Sequence, residues 1–426
     1  MNPHAENYPI WHPFSQMKTV HDLPIIAKAY GPWLETHDGR RIFDAISSWW
    51  VNLHGHSHPY IAQKVHEQML KLEHVIFAGF THEPAIELCN RLSKYLPKNL
   101  TKYFFSDNGS TAIEVALKMA IQYHRHSEPK APIRIIALEG AYHGDTFGAM
   151  AAGERSVFTE PWNDLLFDVV HIPAPNEQQF DAALHALERA LDRPAVFIYE
   201  PLVQGAAGMK MHPAANLDQL LRLARERGAL LIADEVMTGF YRTGQWFASN
   251  AMETQPDLLC LSKGLTGGAL PMALTVCAQH LYDAFLDDRF ERGFLHGHSF
   301  TGNPIGCAAA LASLDLLEAP ETKAQIDQIQ SIFEAAVNIL AASSALSNVR
   351  HCGCILAADV AEQSNGYLHP LRDRLYHEAL NRGVLLRPLG NVLYLLPPYC
   401  ADEPLLQSTI EEMRALSEKC VEQLSC

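Results

Sequence analysis

Between Thr101 and Val276 short apolar runs alternate with stretches of helical periodicity. The runs are Tyr103–Phe105, Ile133–Leu138, Ala195–Tyr199, Ala229–Ala233 and Leu258–Leu261. Continuous apolar runs of this length predict strands buried on both faces. One intervening helix carries Leu217, Leu220, Leu221 and Ala224 on a single face, and Gly228 stops it. Strands separated by helices predict an α/β fold with a mostly parallel sheet and helices on both faces. Upstream, Ile61, Val65, Met69 and Leu72 recur at helical spacing, and a second helix is expected around Pro84 to Tyr95. Asp38-Gly39, between two short mixed-apolar segments, predicts a hairpin. After Pro304 a long apolar helix leads out of this lobe. From about Thr322 the pattern reads helix, strand (Val349–Val360), helix, two strands (Val384–Leu386 and Asn391–Leu396) and a final amphipathic helix. That is a smaller α+β lobe, which the N-terminal hairpin is expected to join. The expected division is therefore residues 1–50 with the small lobe, 51–315 as the large lobe and 316–426 as the rest of the small one. Two lobes suit a chain of 426 residues, which is long for one core.

Composition narrows the function class. The 33 basic and 48 acidic residues leave a formal charge of −15, which disfavours nucleic acid as a partner. No apolar run is long enough to span a bilayer, so no membrane partner is expected. The start, from Met1 to Tyr8, lacks the basic and apolar parts of a signal peptide, and nine scattered cysteines read as free thiols. Both point to a soluble protein of the cytoplasm.

Candidate chemistry collects at the ends of the expected strands. Lys263 follows the Leu258–Leu261 run and precedes glycines, and in a parallel sheet the carboxyl ends of strands face ligands. Asp234 ends the Ala229–Ala233 run, 29 residues earlier, on what reads as the preceding strand of one strand–helix–strand unit. A carboxylate in such apolar surroundings needs a cationic partner. Asn108-Gly109-Ser110-Thr111 opens a helix, where free N–H groups and the dipole suit a phosphate, although the same residues serve as an ordinary N-cap. Tyr142, in Gly140-Ala141-Tyr142-His143-Gly144, is an aromatic placed to lie against a flat ring, and Glu200 adds a carboxylate on the same edge. A lysine, an aspartate and a phosphate-type helix start together form the constellation that pyridoxal phosphate requires. The lysine forms the Schiff base and the aspartate keeps the pyridine nitrogen protonated, so that the ring acts as an electron sink. The histidine clusters around His54 and His296, and Cys352-Gly353-Cys354, lack a closed metal-ligand spacing, so no metal is expected.

Asp234-Glu235-Val236 with Thr238-Gly239-Phe240, Ser262-Lys263-Gly264 with Thr266-Gly267-Gly268, and Ser299-Phe300 with Gly302-Asn303-Pro304 resemble the class III pyridoxal-phosphate aminotransferases. The similarity runs from about Trp11 to Tyr399. It implies the fold-type-I architecture and a homodimer with shared active sites. Lys263 becomes the proton shuttle, Asp234 the partner of the pyridine nitrogen, and Gly109 and Ser110 the phosphate binders, with Tyr142 against ring and substrate. The resemblance also implies that Gly297, His298 and Ser299 reach the neighbouring subunit's site, Ser299 touching its phosphate. Trp11-His12-Pro13, Ser47-Ser48-Trp49-Trp50 and Arg387-Pro388 are similar to the members that aminate 8-amino-7-oxononanoate with S-adenosylmethionine in biotin biosynthesis. There Arg387 would clamp the acceptor's carboxylate and Trp49 line the channel for its aliphatic chain. Phe14 stands where several relatives have Tyr, which removes a hydroxyl near the substrate amine. Alternatives left open are lysine as donor, another class III reaction on ω-amino acids or polyamines, and a non-catalytic pyridoxal-phosphate protein.

Overall fold

The computed structural model describes residues 8–20, 23–360 and 369–422; the first seven residues and the last four, included in the expectations above, lie outside it. Its centre is a seven-stranded sheet. In spatial order the strands are Leu100–Ser106, Ala273–Ala278, Leu258–Leu261, Leu230–Asp234, Ala195–Tyr199, Arg134–Leu138 and Val170–Ile172. All five sequence-expected runs form strands within a residue or a few of their expected bounds. They are buried because helices cover both faces, the longest in this lobe being Gly109–Ser127. Every neighbouring pair is parallel except the two that Ala273–Ala278 makes, which are antiparallel. Periodicity did not reveal that strand, because Ala273–Ala278 follows the glycine-rich turn after Lys263 without a helix between.

Leu230–Asp234 and Leu258–Leu261 pair in parallel, Asp234 opposite Cys260. The connection between them is not the expected helix. It holds turns and one short 3-10 segment, Ala248–Ala251, folded around the buried carboxylate of Glu235. Glu235 accepts the Thr238 hydroxyl at 2.6 Å and the N–H groups of Ala248 and Ser249 at 3.0 and 2.6 Å. Of the two carboxylates at this strand end, Glu235 therefore organises a loop and Asp234 is left for the cavity.

The expected hairpin is present as Trp33–Thr36 against Arg41–Asp44, extended by Ile26–Tyr30. Arg41–Asp44 pairs in parallel with Val384–Leu385, which ties the N-terminal strands to the C-terminal part of the chain. The segment expected as one strand, Val349–Val360, is a hairpin: Leu346–Cys352 turns at Gly353 onto Ile355–Val360, which pairs in turn with Val392–Leu395. Gly353 has φ +58, and a Cβ there would sit 2.2 Å from the carbonyl carbon of Thr243, so only glycine fits this turn.

Candidate active site

Each strand of the large sheet that carries a candidate residue delivers it to the same edge. Asp234 ends its strand, Lys263 lies two residues past Leu261, Glu200 one past Tyr199, and Tyr142 and His143 follow Arg134–Leu138. These residues line a cavity of about 510 Å³ together with Gly109, Ser110, Thr238 and Trp50. A second cavity of about 690 Å³ shares Trp50, Tyr142, His143 and Lys263 with the first and leads outward past Trp49, Phe14 and Arg387. Lys263 thus sits at the junction of an inner and an outer chamber.

The inner chamber has one anion-binding wall and one acidic wall. At the first, the Asn108 side chain accepts the Thr111 N–H at 3.0 Å and the Asn108 carbonyl accepts that of Ala112 at 3.1 Å. The N–H groups of Gly109 and Ser110 are the first-turn donors that this cap does not take up. Gly144 lies against them so closely that a Cβ on it would meet the Ser110 hydroxyl at 2.0 Å. At the acidic wall, Asp234 Oδ1 accepts the Val236 N–H at 3.0 Å, and Oδ2 lies 2.7 Å from Nδ1 of His143. His143 is fully buried, and its Nε2 has no hydrogen-bond partner. Glu200 accepts the N–H groups of Tyr142 and Gly205 at 2.9 and 3.1 Å, and burial pushes its carboxyl up to about 7. Burial likewise lowers the Lys263 ammonium below the ordinary lysine value, against the opposing pull of Asp234 and Glu200, which favours the free amine. Its Nζ stands 5.1 Å from the centre of the Trp50 ring. The Tyr142 hydroxyl is raised well above its usual value, by burial first and then by Asp145.

The outer chamber is amphipathic. The Arg387 guanidinium lies 4.1 Å from the centre of the Trp49 ring, and its Nε is buried without a partner. Phe14 packs edge-on against Trp49 at 5.4 Å and against Phe158 at 5.9 Å. Apolar walls at Phe14 and Trp49, beside a guanidinium whose Nε has no hydrogen-bond partner among the described residues, suit an aliphatic chain that ends in a carboxylate.

Both tryptophans are carried by an unusual piece of backbone. Ser47, Ser48, Trp49 and Trp50 have φ of 51, 44, 70 and 76, so four successive non-glycine residues are left-handed. Such a turn costs roughly 1–2 kcal/mol per residue. No Gly or Asn at these positions announces it.

Of the sequence-derived candidates, Gly109, Ser110, Tyr142, Asp234 and Lys263 line the inner chamber, and Phe14, Trp49, Tyr142 and Arg387 the outer one. Gly297, His298 and Ser299 line neither; Gly297 and Ser299 are exposed and His298 is half-buried. His143, beside Tyr142 in its motif, and Thr238 and Trp50 also line the inner chamber, and no pattern in the sequence marks them as cavity residues. Among the described residues no cluster of His, Cys, Asp or Glu gathers as a metal site.

The chamber fits pyridoxal phosphate on its donor chemistry. It offers helix-end N–H groups for the phosphate, a carboxylate for the ring nitrogen and a buried amine for the aldehyde carbon, all on one cavity wall system. Known proteins agree. The model of the family described as aminotransferase class-III matches residues 15–416. An adenosylmethionine-8-amino-7-oxononanoate aminotransferase of Synechococcus elongatus is 50% identical over 93% of this chain and 96% of its own. The protein of the same name from Helicobacter pylori is 38% identical over 92% of this chain and 91% of its own. The crystal structure of the same-named protein of Methanocaldococcus jannaschii superposes with a TM-score of 0.92 at 32% identity, covering 96% and 97% of the two chains. An amine transaminase from an uncultivated Pseudomonas species, in a PLP-bound form, matches with a TM-score of 0.88 at 29% identity, covering 96% of this chain and 98% of its own.

Proposed function

Because the chain belongs to the class-III aminotransferases, we propose that it moves the amino group of S-adenosylmethionine to the ketone of 8-amino-7-oxononanoate, giving 7,8-diaminononanoate for biotin biosynthesis. The enzyme depends on pyridoxal phosphate, which when bound supplies the electron sink that lets a C–H bond beside the amino group ionise. The protein's own residues do the rest. The Gly109 and Ser110 N–H groups and the Ser110 hydroxyl would hold the phosphate. Asp234, fixed by His143 and the Val236 N–H, would keep a proton on the ring nitrogen. Lys263, whose amine burial favours in its neutral form, would hold the cofactor through its aldehyde carbon and would move the proton to and from the substrate carbon. Trp50, buried beside Lys263, walls the reacting centre from water, and Tyr142 lines both chambers.

The observation that carries the acceptor's identity is Arg387 over Trp49 at the outer end of the channel. It supports a substrate with a reactive ketone at one end of an aliphatic chain and a carboxylate at the other. Product analysis tests the reading: with 8-amino-7-oxononanoate present, purified enzyme should form 7,8-diaminononanoate from S-adenosylmethionine. Formation only from lysine, or only from an ω-amino acid or polyamine, would replace it with one of those donors.

We propose further that two copies share their active sites and that the enzyme works in the cytoplasm. Phe290, Leu295 and Phe300, in one short stretch of chain, are 61% exposed or more, and apolar side chains of this size in solvent favour cover by a second copy. Gly297, His298 and Ser299 lie in that exposed segment, outside their own chain's cavity, which supports their action in the neighbouring site. Cys89, Cys260, Cys277, Cys307, Cys352, Cys354, Cys400 and Cys420 are free thiols, as a reducing compartment allows. No helix among the described residues is long and apolar enough to cross a membrane.

A further inference from the structure

The left-handed turn at Ser47–Trp50 serves the chemistry by sending two consecutive tryptophans in different directions. Trp50 faces Lys263, and Trp49 lies under Arg387. A right-handed turn would point both side chains elsewhere, so something outside the cavity must hold these four residues in a backbone region that L-residues avoid.

Asp44 is placed to do this. Its side chain is fully buried and lines neither chamber. Oδ1 accepts the Ser48 N–H at 2.9 Å, and Oδ2 accepts the Ser48 hydroxyl at 2.6 Å. Oδ2 also lies 2.8 Å from Nε2 of His56, whose Nδ1 is 3.0 Å from Nδ2 of Asn52. The carboxylate therefore grips the second residue of the turn by both its backbone and its side chain, while His56 braces it from behind and reaches past the turn to Asn52. From the other side the buried Arg242 donates through Nη2 to the carbonyls of Trp50 and Asn52 at 3.4 and 3.3 Å, and through Nη1 to that of Pro397 at 2.8 Å. Ser47 and Trp50 are anchored in turn to Leu396 and Tyr394, by the Ser47 hydroxyl at 2.8 Å and the indole N–H at 3.0 Å. The turn is thus clasped at its start, its middle and its end.

We propose that Asp44, braced by His56 and opposed by Arg242, is a positioning residue for the acceptor channel: it holds residues 47–50 left-handed so that Trp49 and Trp50 form the channel's walls. This rests on the acceptor reading given above. Asp44 lines neither chamber, so it acts on acceptor binding only through the walls that Trp49 and Trp50 form.

Glycine supplies the test, because it adopts positive φ without strain and so replaces what the clasp enforces. Asp44→Ala in the holoenzyme should raise the acceptor KM about tenfold, with cofactor content by absorbance unchanged. Ser48→Gly alone should stay near the parent. Adding Ser48→Gly to Asp44→Ala should recover most of the lost acceptor KM. A merely structural loss would lower stability and cofactor content together, and a single glycine elsewhere on the surface would rescue as well or as poorly. If Asp44→Ala yields no folded protein, Asp44→Asn with and without Ser48→Gly is the same comparison, since an amide has one acceptor oxygen and cannot take the Ser48 N–H at one position and the Ser48 hydroxyl with His56 at the other. An unchanged acceptor KM in the folded single variant, or no recovery in the double variant, overturns the proposal. A parent enzyme that does not use the acceptor at all overturns instead the reading on which it rests.

Discussion

The ring of His143 places Nδ1 2.7 Å from Oδ2 of Asp234, and neither group is open to solvent. That contact fixes the carboxylate proposed to pair with the cofactor's ring nitrogen. It also explains how an acid at the end of an all-apolar strand tolerates burial. Hydrogen bonds to charged groups contribute about 1.5–3 kcal/mol, so His143→Ala should weaken pyridoxal-phosphate binding roughly ten- to hundredfold. Cofactor titration followed by absorbance measures this. An unchanged affinity would mean that Asp234 is oriented by the Val236 N–H alone.

Arg387 is argued to read the acceptor's carboxylate. Losing a bidentate, charge-assisted pair in Arg387→Ala should lower kcat/KM for the acceptor roughly ten- to hundredfold. Arg387→Lys should restore only part of it, because a point charge cannot reproduce the fork or its stacking on Trp49. Cofactor content should not change in either variant. Equal losses for an acceptor lacking the carboxylate would remove Arg387 from this role.

Phe14 lies in the outer chamber against Trp49 and Phe158. Phe14→Tyr adds one hydroxyl at a mouth position that is 42% exposed, where a new hydrogen bond is worth about 0.5–1.5 kcal/mol. The acceptor KM should fall by a factor of roughly two to ten. An equal or higher KM would show that the substrate amine does not approach this ring.

Glu200 carries a pH signature. Burial raises its carboxyl to about 7, above the ordinary glutamate value. A group raised on folding stabilises fully below its unfolded pKa, and that contribution is lost as pH rises through about 7. Between about pH 6 and pH 8 the cofactor-stripped parent should therefore lose roughly 1 kcal/mol relative to Glu200→Gln. Denaturant midpoints of the two proteins at both pH values check this. A gap that does not change with pH would place the Glu200 titration elsewhere.

Much of this site could be read from residue order, because its parts stand at boundaries that periodicity marks. Lys263 and Asp234 end apolar runs, Gly109 and Ser110 open a helix, and Tyr142 follows a strand. What stayed hidden depended on contacts between distant segments. His143 matters only because Asp234, 91 residues away, lies beside it. The antiparallel strand Ala273–Ala278 is set by its neighbours, Leu258–Leu261 and Leu100–Ser106. The helix expected between Asp234 and Lys263 is absent because Glu235 gathers that loop through three hydrogen bonds. The turn of Ser47–Trp50 carries no residue type that favours positive φ; its conformation is imposed by Asp44, Arg242 and the strand ending at Leu395.

Under the proposed function, Lys263 and Asp234, which line one chamber, run an amino transfer that starts from S-adenosylmethionine. The donor half-reaction isolates that step: holoenzyme is mixed with S-adenosylmethionine alone, and the cofactor's visible absorbance is followed. The yellow colour should bleach with the parent and 8-amino-7-oxononanoate should then restore it, while Lys263→Ala should do neither at the parent's rate. A parent whose colour persists with S-adenosylmethionine but bleaches with lysine or an ω-amino acid would contradict it, as would a Lys263→Ala variant that bleaches as fast as the parent.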